Sequence, residues 1–258
     1  MKETIKLLDG KEWDKQELLD NMHSDDFYYG YLSKAALSSS SAKMLLGSPK
    51  TYHYVTKYGS PETQALRDGW LFHTSILEPD VFANQVFVDV ESKNTKAYKL
   101  AKEKHGKVFT KKEKRDAERL ADAFYKNEVA REYITKCEFE IPAIDEVMGF
   151  PFRGKADILG SDRIVDLKTT TDIRAFKYSA DKYSYDMQCY LYCNLFNKTP
   201  KDFTFIALDK SSLDIGIFHC SDDFYFKGER KVEAAIETYE TFYVEGVDIN
   251  EYYIEDTL

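Results

Sequence analysis

Between residues 150 and 169 the chain carries two runs of β-favouring residues, 150–159 and 164–169, separated by Gly160, Ser161 and Asp162. Gly-Ser-Asp at that spacing predicts a hairpin. In the second run Val165 and Leu167 fall on one face, available for burial, and Asp166 and Lys168 on the other. Further strands are predicted around Glu140, at 85–90, at 202–208 and at 213–220. Helical periodicity marks 62–77, where Leu66, Gly69, Trp70, His73 and Leu77 form one stripe. A long helix is predicted over 110–134, opened by a Thr110/Glu113 capping box, with Leu120, Phe124, Val129 and Tyr133 as buried positions. Shorter helices are expected at 42–46 behind the Ser38–Ser41 hydroxyls, after Ser48-Pro49, at 171–179 and at 183–196, and an amphipathic helix at 227–243. Residues 1–30 show no clear element and read as a lead-in. Helices followed by a sheet with helices on it predict an α/β (α+β) fold with a mixed sheet.

With 258 residues and 43% apolar content, the chain can bury one sizeable core. We expect a single domain over 1–258: a mostly helical part to 135, a core over 136–220, and a C-terminal helix with an acidic tail over 221–258. The net charge of −9 is unevenly spread. Residues 93–115 hold ten Lys or Arg against two Glu, a balance of +8, whereas 222–258 hold eleven acids against three basic residues, a balance of −8. Such asymmetry suits a basic stripe for phosphates, and equally a solvated helix face. No apolar run is long enough to span a bilayer and the N-terminus is too polar for a signal peptide, so a cytoplasmic protein without a membrane partner is expected.

The chemistry concentrates in the central hairpin. Asp157 near the end of one strand can lie beside Asp166 on the next, and two converging carboxylates repel unless a cation lies between them. Hard oxygen ligands suit Mg²⁺, with Mn²⁺ as a substitute. Lys168 would then orient a water, which is the apparatus of metal-assisted phosphodiester hydrolysis. The alternative for an Asp-x-Lys strand is a surface ion pair of little energetic weight. Gln188 and Tyr192, four apart, share a helix face. His73, on an apolar stripe, is by itself more often a core residue than a ligand.

The order GKAD, VDLKTTTDIRAFK, YSYDMQ and QCYLY, with GWLFHTSILEPDVF and LSSSSAKMLLGSPKTY ahead of it, resembles the PD-(D/E)xK nuclease superfamily in its RecB-like branch. The nearest likeness is to the RecE-type (exonuclease VIII-like) phage recombination exonucleases, over about 31–208. Ala156 stands where the superfamily pattern has proline. The resemblance implies a restriction-endonuclease-like core with a mixed central sheet flanked by helices. It implies a Mg²⁺-dependent exodeoxyribonuclease that degrades linear duplex DNA, 5′ to 3′, leaving 3′ tails for a single-strand annealing protein, and a homo-oligomeric ring around DNA. It makes His73 a metal ligand with Asp157, Asp166 and the Leu167 carbonyl, Lys168 the residue that positions water, and Glu140 a further acid. It also turns Gln188 and Tyr192 toward the metal or DNA. Some relatives hold an iron–sulfur cluster with one cysteine ahead of the core and three behind. Of Cys137, Cys189, Cys193 and Cys220 only the last lies beyond the Gln-x-x-x-Tyr helix, so no cluster is expected. The rival readings are an endonuclease or repair nuclease on the same core and a catalytically dead DNA-end-binding module.

Overall fold

The computed structural model describes residues 3–255 and 257. Met1, Lys2, and Asp256 and Leu258 of the expected acidic tail lie outside the described residues. The expected lead-in is built structure. Strands β1 (Thr4–Lys6) and β2 (Glu12–Asp14) pair antiparallel, and the Asp14 carboxylate caps α1 (Lys15–Asn21). A π-helical turn at Asp26–Tyr31 leads into α2 (Leu32–Ala35). Ile5, Leu18, Met22, Tyr28 and Leu32 close a core of their own on Ile144, and Lys15 Nζ lies 2.7 Å from Asp145 Oδ2.

Ser38 and Ser41 cap each other at the start of α3 (Ser39–Gly47), and proline opens α4 (Pro49–Tyr58), both as the sequence predicts. Next come α5 (Gln64–Leu77) and α6 (Pro79–Ala83). The strand expected at 85–90 shrinks to β3 (Phe87–Val88), which pairs in parallel with β4 (Phe109–Thr110) across α7 (Lys96–His105). The helix expected over 110–134 is two, α8 (Lys111–Lys126) and α9 (Glu128–Ile134), because Asn127 leaves the helical conformation and accepts the Ala130 N–H as a new cap. Val129 consequently points outward, 52% exposed, against the expectation of burial, and Tyr133 is only half-buried.

Among the described residues the central sheet has five strands: β5 (Glu138–Val147), β6 (Phe150–Leu159), β7 (Ile164–Thr170), then after α10 (Phe176–Lys182) and α11 (Tyr185–Leu195), β8 (Phe203–Asp209) and β9 (Ile215–His219). Their order follows the sequence, antiparallel except for β7 and β8, whose parallel pairing requires the α10–α11 crossover. Met148 and Gly149, both at positive φ (52° and 82°), make the tight β5–β6 turn. The helix expected at 171–179 starts later because the Asp172 carboxylate ties the Arg174 and Ala175 N–H groups into a turn first. The last helix, α12 (Asp222–Tyr239), starts five residues earlier than expected, capped by Ser221.

The sheet is covered on both faces. Phe72 and Ile76 of α5 and Leu120 and Phe124 of α8 pack on Val165, Leu167, Ile206 and Leu208. On the other face Met187, Leu191, Val232 and Ile236 from α11 and α12 pack on Ile164, Phe203, Phe205 and Ala207. Cys189 and Cys193 are part of that second core. No helix among the described residues is long and apolar enough to cross a membrane.

Candidate active site

Strands β6 and β7 are joined by only two residue pairs, Ile158 with Val165 and Leu159 with Ile164, and then part. The Asp157 side chain fills the opening: its Oδ2 accepts the Leu167 N–H at 2.8 Å, replacing a strand carbonyl. The same oxygen lies 3.3 Å from His73 Nδ1 on α5. Across β5 the register puts Glu140 opposite Asp157, between the pairs Phe139–Ile158 and Ile141–Ala156. Glu140 has a left-handed φ of 54°, a conformation that costs a residue with a Cβ about 1–2 kcal/mol and is tolerated mainly where a site requires it. One ligand atom each from His73, Glu140 and Asp157 falls within 4.8 Å of the others.

Asp166 is buried beside this trio and outside it. Gln188 of α11 donates to Oδ1, and the Lys168 ammonium forms an ion pair with Oδ2. Asp166 Oδ2 is buried and has the Lys168 ammonium as its partner. Lys168 also lies 4.9 Å from the Tyr185 ring centroid. Tyr192, expected to face a metal or DNA, lines the cleft and also clamps α11 to β6: its hydroxyl donates to the Lys155 carbonyl at 3.0 Å, and its ring fills the space left by the missing side chain of Gly154. Of the residues named from sequence, the structure thus gathers His73, Glu140 and Asp157 at one point and Asp166, Lys168 and Gln188 next to it. Leu167 supplies its N–H to Asp157.

Two of the three carboxylates here, Glu140 and Asp166, face too little positive charge. Burial, followed by repulsion from Asp157, pushes Glu140 up to about 7. Burial also raises Asp166 to about 6 despite Lys168. For Asp157 burial acts upward as well, but His73 and Lys168 outweigh it and hold the carboxyl below its ordinary value. His73 is raised, since attraction to Asp157 exceeds the cost of burying the imidazolium. Carboxyl groups that retain protons near neutrality, and a hard oxygen and imidazole donor set gathered within 4.8 Å, together fit a divalent cation such as Mg²⁺ or Mn²⁺.

The trio lies on the wall of a cleft of about 1040 Å³. The helical stripe predicted on α5 divides: Leu66, 59% exposed, lines this cleft with Gly69, Trp70 and His73, whereas Leu77 is buried in the core with Phe72 and Ile76. Sequence reasoning missed Tyr28, Tyr29 and Lys155, which line the cleft near Glu140. The signal for Lys155 was present, since it stands two residues before Asp157 on one strand and so shares its side. For the tyrosines there was none, because their position depends on the packing of the N-terminal core.

Residues 38–247 match the model of a family described as a PDDEXK-like domain of unknown function (DUF3799). The chain belongs to this family. Its five-stranded mixed sheet flanked by helices is the PDDEXK-like domain. Among solved structures, a Eubacterium rectale protein named as a candidate exonuclease superposes with a TM-score of 0.67 at 16% identity, over 91% of this chain and 95% of that one. A phage-related exonuclease from Haemophilus somnus is a more remote likeness, with a TM-score of 0.37 at 16% identity, over 82% of this chain and 96% of that one. No curated protein sequence matches the chain.

Proposed function

We propose that this PDDEXK-like chain is a divalent-metal-dependent deoxyribonuclease that digests linear duplex DNA from its ends, 5′ to 3′, leaving 3′ single strands for an annealing protein. The observation that carries the reading is the meeting of His73, Glu140 and Asp157 beside the Asp166–Lys168 pair on one cleft wall. In this reading His73, Glu140 and Asp157 hold a Mg²⁺ ion, with Asp166 and the Leu167 carbonyl beside them. Such an ion supplies Lewis-acid stabilisation of the charge that builds on the phosphate oxygens. Lys168 orients the attacking water and keeps its own charge, since burial, which acts against the charge, is outweighed by Asp166 and Asp157 together with Tyr185. Gln188 fixes the Asp166 carboxylate by donating to its Oδ1. The direction of digestion, the annealing partner and a ring-shaped oligomer rest on the resemblance to RecE-type exonucleases. A closed ring would keep a chain of net charge −9 on its substrate.

The deciding experiment compares linear duplex with covalently closed circular duplex in the presence and absence of Mg²⁺. An exonuclease digests the linear form only, with early release of a 5′ label, because a closed circle offers no strand end. Nicking of the circle at a comparable rate would establish an endonuclease on the same site. Loss of neither form would leave a DNA-end-binding module.

A further inference from the structure

We propose that Tyr29 and Lys155 form a nucleotide subsite on the cleft wall beside Glu140, in which one base of single-stranded DNA stacks on the Tyr29 ring and its phosphate takes the Lys155 ammonium. The inference deepens the nuclease reading and takes its substrate class from it. Tyr29 belongs to the π-helical turn Asp26–Tyr31, ahead of the family-matched residues 38–247. Such turns are rare and are frequently found at functional sites. This one sets two adjacent tyrosines to different uses. Tyr28 is buried, with the Arg153 guanidinium 4.3 Å from its ring centroid, and meets Tyr29 edge to face at 4.9 Å. Tyr29, braced by that contact, remains 59% exposed while lining the cleft.

Lys155 Nζ lies 5.4 Å from the Tyr29 ring centroid and 3.8 Å from both Glu140 Oε2 and Asp25 Oδ1. An exposed aromatic ring and an ammonium lying over it thus stand together, two residues along β6 from Asp157. A nucleotide presents the matching pair, a flat π-face and an anionic phosphate, and stacking tolerates any base. Exposure alone does not make such a site: Tyr178 is 68% exposed but lies outside the cleft lining.

The test is binding of a short fluorescent single strand, compared with a strand of equal length made of abasic sugar-phosphate, without divalent metal so that nothing is cleaved. Wild-type protein should prefer the base-bearing strand by about fivefold or more. Tyr29→Ala and Tyr29→Leu should abolish this preference, while Tyr29→Phe and Tyr178→Ala should keep it. Lys155→Ala should weaken both strands by the same factor. The proposal is overturned if wild-type protein shows no preference for bases, or if Tyr29→Ala and Tyr29→Leu retain it. Failure of the nuclease reading has a separate signature, the absence of Mg²⁺-dependent digestion of linear duplex by the wild type.

Discussion

Gly228 and Asp186 meet backbone to backbone: a Cβ on Gly228 would stand 2.0 Å from the Asp186 carbonyl oxygen and 2.4 Å from its carbonyl carbon. The crossing of α12 over α11 is fixed further by Lys231, whose Nζ lies 2.7 Å from the fully buried Asp186 Oδ2. Two residues beyond Asp186 is Gln188, which holds Asp166. The distance between two helices therefore sets how far an amide reaches into the candidate active site.

Gly228→Ala should destabilise the fold by about 3 kcal/mol, because no side chain can rotate out of the way and the helices have to separate. Urea denaturation would show a lower midpoint at an unchanged slope. Digestion by the folded fraction should fall as well. A wild-type midpoint would mean that α12 yields without cost.

Asp166 and Lys168 should separate on mutation. Asp166→Asn should cut digestion by at least about 100-fold, a loss of the size seen when a charge-stabilising group is removed, and weaken Mg²⁺ binding in calorimetry. Lys168→Ala should cut digestion as much yet bind Mg²⁺ at least as well, since removing the ammonium leaves the site more negative. Equal loss of metal in both variants would remove Lys168 from the water-positioning role.

Acid stability should report on a different pair. Arg67 Nε donates to Glu113 Oε1 at 2.8 Å in a buried network that includes the Thr110 N–H and Gln64. Burial would raise the Glu113 pKa, but these donors bring it down to about 2, from an ordinary 4.5. A lowered folded-state pKa gives stability that is complete above the unfolded value and is lost as pH falls from about 4.5 toward 2. Glu113→Gln should lower Tm at pH 7 and show a smaller further drop between pH 5 and pH 3 than wild type. Parallel Tm curves for the two proteins would remove Glu113 from the acid transition.

Of the basic stretch, half is already occupied. Lys93, Lys111, Lys112, Lys114 and Arg115 form ion pairs with Glu113, Asp89, Asp116, Glu118 and Glu91. Among the described residues, Lys96, Lys99, Lys102 and Lys104 have no such partner, so phosphate contacts are expected from α7. Replacing these four with Gln should flatten the salt dependence of duplex binding by about 0.9 in log–log slope for each phosphate that is no longer neutralised. Replacing Lys112 and Lys114 should leave the slope alone, and the reverse pattern would shift the DNA-facing surface to α8.

The hairpin carrying Asp157, Asp166 and Lys168 was legible because each of its signals is local: alternation, a three-residue turn, and charge on one strand face. The break at Asn127 was also written locally, as an asparagine followed by Glu128, but the capping box at Thr110 drew the helix through it. Val129 misled because an apolar residue marks a face without saying whether the face meets a core, a cleft or solvent. The N-terminal segment was illegible for a different reason. Its core closes on Ile144, more than a hundred residues away, and no pattern within residues 1–30 encodes that partner. Glu140 was a minor candidate, since nothing in its sequence surroundings announces a left-handed backbone.

The single Asp157 oxygen that bridges the gap between β6 and β7 ties architecture and chemistry to one atom. A descendant that had given up catalysis would still need an acceptor there for the Leu167 N–H, so aspartate or asparagine would persist at this position in inactive relatives. The Asp166–Lys168 pair carries no such obligation: its two members can be lost together without leaving a charge stranded in the interior. Among related sequences, decay would therefore show first as the joint disappearance of that pair, with position 157 still looking intact.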